Sequence, residues 1–478
     1  MRSKAIAKVA SFVEAVPLVG RLATARPQSP AADGGLNLNL NRQVLNLAWP
    51  SLVENLLQTM LGVVDLLMVG RLGADAIAGV GLANQIMNLL VVTFAGLAVG
   101  NTALVARSVG AGQKAEAERI AKQSLVMGAM LAAVVGIVGF FFNRQIIALL
   151  GGTPSVSEQG GRFLQIIATG SIVMMVMLIG GGTLRGSGDT RTPMLITGFI
   201  NVINIGLAYT FIFGNFGFPA LGVAGSALAT TIARTVGSGL ILWVLFRRGS
   251  VLKLPWRGGW RPRGDVVRRL LNVGGPAAIE QVVFGLGFVT FSVIVISLGT
   301  ADLAAQQIAF NAASISILPA FAFSVAATTL VGQSLGAQKP QRAEASARSA
   351  LRSALIWMCV MGVGFLLFRR QLVGLYTSDP DVLRLGAMCM AFIGLGQPFQ
   401  AISIVLGGAL RGAGDTRSTM VITLVGLWGM RLGLGFLFGI VLGGGLFGVW
   451  LGWAADFICR ATLVTLRYRS GRWKYLRV

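Results

Sequence analysis

The chain contains no histidine and only three cysteines, and few of its residues carry a charge. The absence of histidine removes the usual zinc ligand and the usual acid or base near neutral pH, so any proton chemistry falls to carboxylates. Cys359, Cys389 and Cys459 lie in apolar segments without paired spacing, which argues against a disulfide framework and a zinc site and predicts small core residues. With 54% hydrophobic and 12% charged residues, the composition is that of a membrane protein.

Apolar runs of about 20 residues, long enough to cross about 30 Å of hydrocarbon, recur along the whole sequence. Twelve spans are predicted, at residues 45–70, 79–106, 120–142, 163–184, 192–214, 222–246, 270–298, 304–332, 346–368, 384–410, 418–440 and 446–467. The fold class that follows is an all-α integral membrane protein with twelve transmembrane helices.

Acidic residues are scarce, 17 against 40 lysines and arginines, and the net charge is +23. In a soluble chain this excess would suggest a nucleic-acid partner, but no platform of aromatic and basic residues accompanies it. The odd-numbered connections and the span ends next to them hold six of the 40 basic residues, and most of the others lie in or beside the two tails and the even-numbered connections. This distribution follows the positive-inside rule, so both termini are predicted to be cytoplasmic and the basic residues to face the anionic lipid bilayer, not nucleic acid.

An eight-residue stretch occurs twice, as LRGSGDTR at 184–191 and as LRGAGDTR at 410–417, an offset of 226 residues (410 − 184 = 226). The same offset brings Glu54 onto Glu280 without any gap. The predicted domains are an N-terminal tail (1–43), an N-lobe of six helices (44–247), a basic cytoplasmic linker (248–269), a C-lobe of six helices (270–468) and a basic C-terminal tail (469–478). Because six is even, the two repeats are parallel, which is a plan of secondary transporters.

The repeated stretches are predicted to be the turns between the fourth and fifth spans of each half. Asp189 or Thr192 is positioned to cap the fifth helix. Arg185 and Arg191 flank Asp189 and are expected either to pair with it or to bind lipid phosphate. A purely structural turn and a gate both fit this pattern. The predicted turn or gating residues are Arg185, Asp189, Arg411 and Asp415.

Several stretches together resemble the multidrug and toxic compound extrusion (MATE) family. They are the helix-1 run PSLVENLLQTMLGVVDLLMVGRLGADAIAGVGLA, the loop SVGAGQKAEAERIAKQS, both LRGxGDTR turns and the helix-5 segment INVINIGLAYTFIFG. The resemblance covers residues 44–468 and implies a V-shaped pair of six-helix lobes. It also implies an antiporter that exports cationic amphipathic compounds in exchange for Na+ or H+ by alternating access.

Acidic residues inside a bilayer span are energetically costly and therefore candidates for function. Four fall there: Glu54, Asp65, Glu280 and Asp456. Asp65 has Phe291 as its repeat counterpart (65 + 226 = 291), so the scaffold's symmetry does not explain it. The resemblance implies ion coupling at Asp65, with Asn204 as its partner and Thr230 more loosely. Their oxygens would suit Na+, and a proton on the carboxylate would replace the metal ion. The alternative is that Asp65 is a buried residue of helix packing.

Three positions depart from branches of the family that the chain resembles. Where those relatives carry further acidic residues, this chain has Ala208 in the fifth span, Phe284 in the seventh and Gln400 in the tenth. Coupling is therefore expected to concentrate in the N-lobe around Asp65.

Glu54 and Glu280 occupy equivalent positions, and two interpretations stay open for them. They line a substrate cavity that attracts cations, together with Gln281 and Gln400, or they are acids at helix N-termini favoured by the helix dipole. Asp456 is expected to form a structural ion pair with Arg431 of the eleventh span.

The sequence thus predicts an exporter of small organic cations in the plasma membrane, monomeric and without a cofactor. One alternative is a flippase for a lipid-linked precursor in the same fold superfamily, which the intramembrane Arg234 and Arg431 keep open. An intramembrane enzyme is a remote alternative, because no nucleophile elbow or metal signature is present. Residues 1–42 fit either a cytoplasmic tail or an organelle transit segment.

Overall fold

A computed structural model describes residues 36–247, 252–255, 258–261 and 263–476. Residues 39–478 belong to one compact unit. Most of the predicted N-terminal tail, residues 1–35, lies outside the described residues. The described part of the chain consists of helices and turns and contains no strand.

Twelve helices occupy the twelve predicted spans. They are α1 (Leu36–Gly70), α2 (Ala74–Gly110), α3 (Lys114–Phe141), α4 (Pro154–Thr169 and Ser171–Gly186), α5 (Arg191–Phe213), α6 (Val223–Phe246), α7 (Gly264–Ile296), α8 (Thr300–Gly336), α9 (Pro340–Leu367), α10 (Pro380–Gly412), α11 (Thr416–Val441) and α12 (Gly445–Arg469). Most extend beyond the apolar run that predicted them, because helical hydrogen bonding continues into the polar flanks. Two short helices, Asn143–Leu149 and Arg369–Gly374, precede α4 and α10.

Eleven of the twelve spans satisfy the length and hydropathy of membrane-crossing helices in the described part of the chain. Ten helices in the described part qualify individually, and α4 is an eleventh if its two segments count as one span. The segments of α4 meet at Gly170 with a bend of 53°. A side chain at Gly170 would press on Thr231 of α6, since its Cβ would lie 2.9 Å from that residue. The helix α2 is 37 residues long and fills the second predicted span.

The face at which α1 begins and α12 ends is called the tail face, and the opposite one the far face. Odd-numbered helices begin at the tail face and even-numbered helices end there. Both LRGxGDTR turns therefore lie at the tail face, between α4 and α5 and between α10 and α11.

The first helix of each repeat packs against the opposite lobe near the tail face. Val44 and Ala48 of α1 are buried in a cluster made mainly by C-lobe helices, and Leu270 and Val273 of α7 are buried in the N-lobe core. The predicted lobe boundaries at residues 44 and 270 therefore do not separate two independent cores at this face. Hydropathy reports the depth of a helix in the membrane and carries no information about its lateral neighbours, which is why this crossing was not predicted.

The linker and the C-terminal tail are packed where they are described. Leu254 of the linker is buried. Lys122 of α3 donates a hydrogen bond to the linker carbonyl of Gly258 at 2.8 Å. In the C-terminal tail Trp473 is buried and stacks on Tyr468 with ring centroids 5.0 Å apart.

All three cysteines are free. Cys389 is buried as predicted, whereas Cys359 points outward from α9, so the prediction of a core residue is wrong for Cys359. A thiol on the apolar outer surface of a membrane helix meets lipid, which tolerates it as well as a protein core does.

Candidate functional site

Two of the three predicted coupling residues are in direct contact. Asn204 of α5 donates a hydrogen bond from Nδ2 to Thr230 Oγ1 of α6 at 3.1 Å. Both side chains are buried, with 1% and 8% of their surface exposed. The amide oxygen Oδ1 of Asn204 is buried and has no hydrogen-bond donor in the described part of the chain. Thr230 therefore orients the amide and leaves its oxygen as an unused acceptor.

Asp65 lies on the neighbouring helix α1, which is joined to α5 by a hydrogen bond from Asn201 Nδ2 to the Leu57 carbonyl at 2.7 Å. Its oxygen Oδ1 is buried and unpartnered among the described residues. The carboxylate interacts electrostatically with the guanidinium of Arg234 on α6. Within the described ranges no hydrogen bond joins Asp65 to Asn204. The predicted set is thus split into a bonded pair and a separate carboxylate in the same helix group.

Unused acceptor oxygens in a low-dielectric interior are energetically unfavourable, by about 1–3 kcal/mol each in proteins. A cation or a proton relieves this cost, because either one supplies a direct partner to oxygens that accept no hydrogen bond. Carboxylate and amide oxygens are the ligand types that a hard cation such as Na+ prefers, and a carboxylate can take a proton instead.

The two membrane-embedded glutamates form equivalent ion pairs. Arg185 Nη1 donates to both carboxylate oxygens of Glu54, at 3.0 and 3.2 Å, and Arg411 Nη1 donates to Glu280 at 3.1 Å. Both glutamates are 7% exposed. The expected pairing of Arg185 with Asp189 is therefore wrong. Arg185 binds the carboxylate of Glu54, 131 residues away in sequence, and not the nearby carboxylate of Asp189.

The interpretation of these glutamates as helix N-terminal acids is also wrong. The helices α1 and α7 begin several turns earlier, so neither residue lies in a first turn. Glu280 additionally accepts hydrogen bonds from the hydroxyls of Thr419 at 2.8 Å and Thr423 at 3.2 Å. The N-lobe has Pro193 at the position equivalent to Thr419 (419 − 226 = 193), so this hydroxyl is missing beside Glu54.

The aspartates of the two turns bond within their own lobes. Asp189 accepts hydrogen bonds from Thr192, at 3.0 Å from the backbone nitrogen and 2.6 Å from the hydroxyl, which confirms the predicted cap of α5. Asp415 instead accepts from Arg467 Nε and from the Ser418 hydroxyl, both at 2.7 Å.

The predicted pair of Asp456 and Arg431 is confirmed, with Arg431 Nε 2.9 Å from Oδ2. Sequence reasoning missed the second partner, Arg460, whose Nε and Nη2 lie 2.6 and 2.7 Å from the same carboxylate. The Arg431 guanidinium also lies 3.6 Å from the ring centroid of Trp453. Around Arg431, the segment Val425–Leu434 is a π-helix, a geometry often found at functional sites.

Three glutamines of the C-lobe have unused amide oxygens, and one of them is Gln306 of α8. Gln400 Oε1 is buried without a hydrogen bond in the described part of the chain, as is Gln397 Oε1. Gln397 donates from Nε2 to Ser316 Oγ at 3.0 Å. Gln397 was not predicted, although its position one residue before Pro398 in a membrane helix is a usable signal. Gln281, also predicted, is half-buried on α7.

Twelve helices in two parallel repeats, with buried charges inside each lobe, define a multi-pass membrane transport protein rather than an enzyme. The chain belongs to the MatE family, whose sequence profile matches residues 50–210 and 276–437. These matches start 226 residues apart (276 − 50 = 226), the offset of the internal repeat. The membership confirms the resemblance seen in the sequence.

Individual relatives match over almost their whole length. The chain is 35% identical over 439 residues to the "Probable multidrug resistance protein NorM" of Thermotoga maritima, which covers 91% of this chain and 93% of the relative. It is 29% identical to the "Multidrug resistance protein PmpM" of Pseudomonas aeruginosa, covering 91% and 92%. A crystal structure of MATE in the straight conformation has the same fold, with a TM-score of 0.82 at 23% identity over 91% of this chain and 95% of that one.

Proposed function

We propose that this protein is a secondary antiporter that exports small organic cations in exchange for Na+ or H+ by alternating access. Membership of the MatE family and relatives named multidrug resistance proteins support export of drug-like compounds. The observation that carries the coupling is the pair of buried, unpartnered oxygens on Asp65 and Asn204. The tail face is the cytoplasmic one in this proposal, since the basic residues concentrate there. The protein acts as a monomer in the plasma membrane.

In this mechanism the coupling ion and Arg234 compete for the carboxylate of Asp65. A cation or proton on Asp65 neutralises it and releases its electrostatic interaction with Arg234. Thr230 keeps the Asn204 oxygen turned toward the ion through the bond at 3.1 Å. The two charge states of Asp65 then favour different arrangements of α1 against α6, which is the differential binding that ion coupling requires. Glu54 and Glu280 contribute to substrate binding only when their arginine pairs open.

The direct test is ethidium efflux from vesicles with Na+ and pH gradients imposed separately. Wild type is expected to respond to one gradient, and Asp65→Asn to bind ethidium without responding to either, because an amide holds neither the proton nor the charge. Asp379→Asn is the matched control, since it changes an aspartate that caps α10 at the far face, outside the site, and it is expected to keep the response. Gradient-driven efflux by Asp65→Asn at the wild-type rate would place coupling elsewhere.

One observation favours a second candidate, a flippase for an anionic lipid-linked precursor. The cluster around Asp456 holds two guanidiniums for one carboxylate, an excess of positive charge within the membrane. A positively charged interior suits a phosphate-bearing substrate. Failure of wild type to move any cation, combined with movement of a fluorescent lipid pyrophosphate across proteoliposomes, would favour this candidate.

A further inference from the structure

The repeated turn of the N-lobe is held by side chains of the C-lobe. Thr329 Oγ1 of α8 donates a hydrogen bond to the carbonyl of Arg185 at 3.1 Å. One turn further along the same helix, Gln333 Nε2 donates to the carbonyl of Gly186 at 3.0 Å. Both acceptors belong to the stretch LRGSGDTR. At the last turn of α4 the Arg185 carbonyl already accepts from the backbone nitrogen of Gly188 at 3.0 Å, so Thr329 is a second donor to it. Gln333 supplies a donor from the other lobe to the carbonyl of Gly186.

The repeated turn of the C-lobe is held in the same way from the N-lobe. Arg107 Nη1 of α2 donates to the carbonyl of Ala413, in the stretch LRGAGDTR, at 3.3 Å. Its Nη2 donates to the carbonyl of Leu476 in the C-terminal tail at 2.5 Å. Arg107 and Gln333 are equivalent in the repeat (107 + 226 = 333). Arg107 and Gln333 differ in type, yet each donates a hydrogen bond to the repeated turn of the opposite lobe, across one pseudo-twofold interface.

Glycines let α2 and α8 touch at the centre of this interface. A Cβ at Gly110 would overlap the backbone of Gln333, and one at Gly336 would overlap the backbone of Arg107. These two glycines are also equivalent (110 + 226 = 336). The helix ends consequently meet backbone to backbone, which keeps Arg107 and Gln333 within reach of the opposite turns.

The buried glutamates brace the same turns from inside each lobe. Arg185 binds Glu54 with its side chain while its carbonyl accepts the Thr329 hydroxyl. Arg411, held by Glu280, lies two residues before the acceptor carbonyl of Ala413. The ion pairs thus position the carbonyls of Arg185 and Ala413, which accept hydrogen bonds from the opposite lobe.

We propose that Arg107 and Gln333 are positioning residues of the transport cycle, which hold the tail face closed by gripping the two repeated turns reciprocally. The hydrogen bonds of Arg107, Thr329 and Gln333 all lie at the tail face. The structure is therefore a state closed at that face, and opening it breaks these bonds together. This inference rests on the alternating access of the proposed function. It explains why the same turn occurs twice, since each copy is one half of a symmetric latch.

Two pairs of equivalent, exposed residues serve as reporters of lobe movement. Gln113 and Lys339 follow α2 and α8 at the tail face, and Leu149 and Leu375 lie at the far face. Cysteines at each pair would carry nitroxide labels, in a background where Cys359, Cys389 and Cys459 are replaced by serine. Pulsed electron paramagnetic resonance then gives the distance distribution across each face in detergent or nanodiscs, without gradient or substrate.

The latch variant is the double substitution Arg107→Ala with Gln333→Ala. We expect the population with a long tail-face distance to rise about tenfold or more, since at least two interlobe hydrogen bonds are lost, one of them from a charged donor. The far-face distance is expected to shorten in the same fraction of molecules, because a rocking motion closes one face as it opens the other. Unchanged distributions at both faces would overturn the proposal.

Two further variants separate a latch from a purely structural role. Arg119→Ala removes a charge from the same face, but Arg119 pairs with Glu116 inside α3, so the distances are expected to stay as in wild type. Arg107→Gln installs the residue that the other repeat uses and is expected to restore most of the closed population. A latch variant with broadened distances at both faces and no reciprocal shift would show general loss of structure and contradict the proposal. Because no ion is involved, failure of coupling at Asp65 would leave this result intact.

Discussion

Buried charges in this protein differ between the two lobes in the number of their partners. Asp456 has two guanidinium partners at hydrogen-bonding distance, whereas Asp65 has a buried oxygen with no donor in the described part of the chain. A carboxylate whose oxygens are already hydrogen-bonded gains little free energy from binding an ion. A buried carboxylate oxygen without a donor gains much more. The asymmetry at these residues indicates a structural role for Asp456 and supports the coupling role proposed for Asp65.

The residues of the glutamate pairs show what sequence alone can and cannot predict. The repeat showed that Glu54 is equivalent to Glu280 and that Arg185 is equivalent to Arg411. It did not pair them, because spans far apart in sequence are brought together only by lateral packing. The two acidic and two basic residues recur at one offset, and this charge balance is a sequence signal for two ion pairs.

Glu280→Gln tests the pair at the residue scale. Removing one member of a buried ion pair leaves the other charge uncompensated, so the protein is expected to lose about 3 kcal/mol of stability. Thr419→Val removes only one hydroxyl donor and is expected to lose about 1 kcal/mol. Thermal unfolding in detergent, followed by tryptophan fluorescence, measures both.

The matched control for this prediction is Glu158→Gln at the far face. Glu158 is about half exposed and pairs with Arg162 at 3.0 Å, so its loss is expected to change stability by less than about 1 kcal/mol. Equal melting temperatures for Glu280→Gln and Glu158→Gln would show that the buried pair does not stabilise the fold.

At the scale of elements, hydropathy predicted the positions of the twelve spanning helices but neither the two short helices nor the contacts between spans. The bend at Gly170 within α4, the π-helical segment of α11 and the crossing of α1 toward the C-lobe all depend on lateral packing. Each helix carries apolar residues on the side that faces lipid as well as on the side that faces other helices. The hydropathy pattern therefore does not show which side packs against a neighbour.

Gly110→Ala tests the contact between α2 and α8. The added methyl group would overlap the backbone of Gln333. Backbone atoms cannot move aside as the end of a flexible side chain can, so destabilisation of about 1–3 kcal/mol is expected. Gly81→Ala in the same helix is the control, since nothing lies within 4 Å of the added atom. It is expected to be neutral or stabilising by up to about 1 kcal/mol from helix propensity. Equal melting temperatures for the two variants would refute a close backbone contact at Gly110.

At the scale of the whole molecule, the parallel repeat explains the turns, the equivalent ion pairs and the two family matches with one offset. The two repeats differ where function is proposed. The position equivalent to Asp65 is Phe291, and the position equivalent to Thr230 is Asp456 (230 + 226 = 456). The proposed latch therefore uses residues at equivalent positions of the two repeats, and the proposed ion site uses residues that only the N-lobe has.

The central claim is that a coupling ion and an organic cation influence each other's binding through Asp65. Ethidium affinity of the purified protein, measured by fluorescence anisotropy with and without Na+ and across pH, tests it most directly, because linkage requires each ligand to change the affinity of the other. The account predicts that Na+ or protons weaken ethidium binding to wild type, and that Asp65→Asn binds ethidium with an affinity independent of both. The same ion dependence in wild type and Asp65→Asn would contradict it.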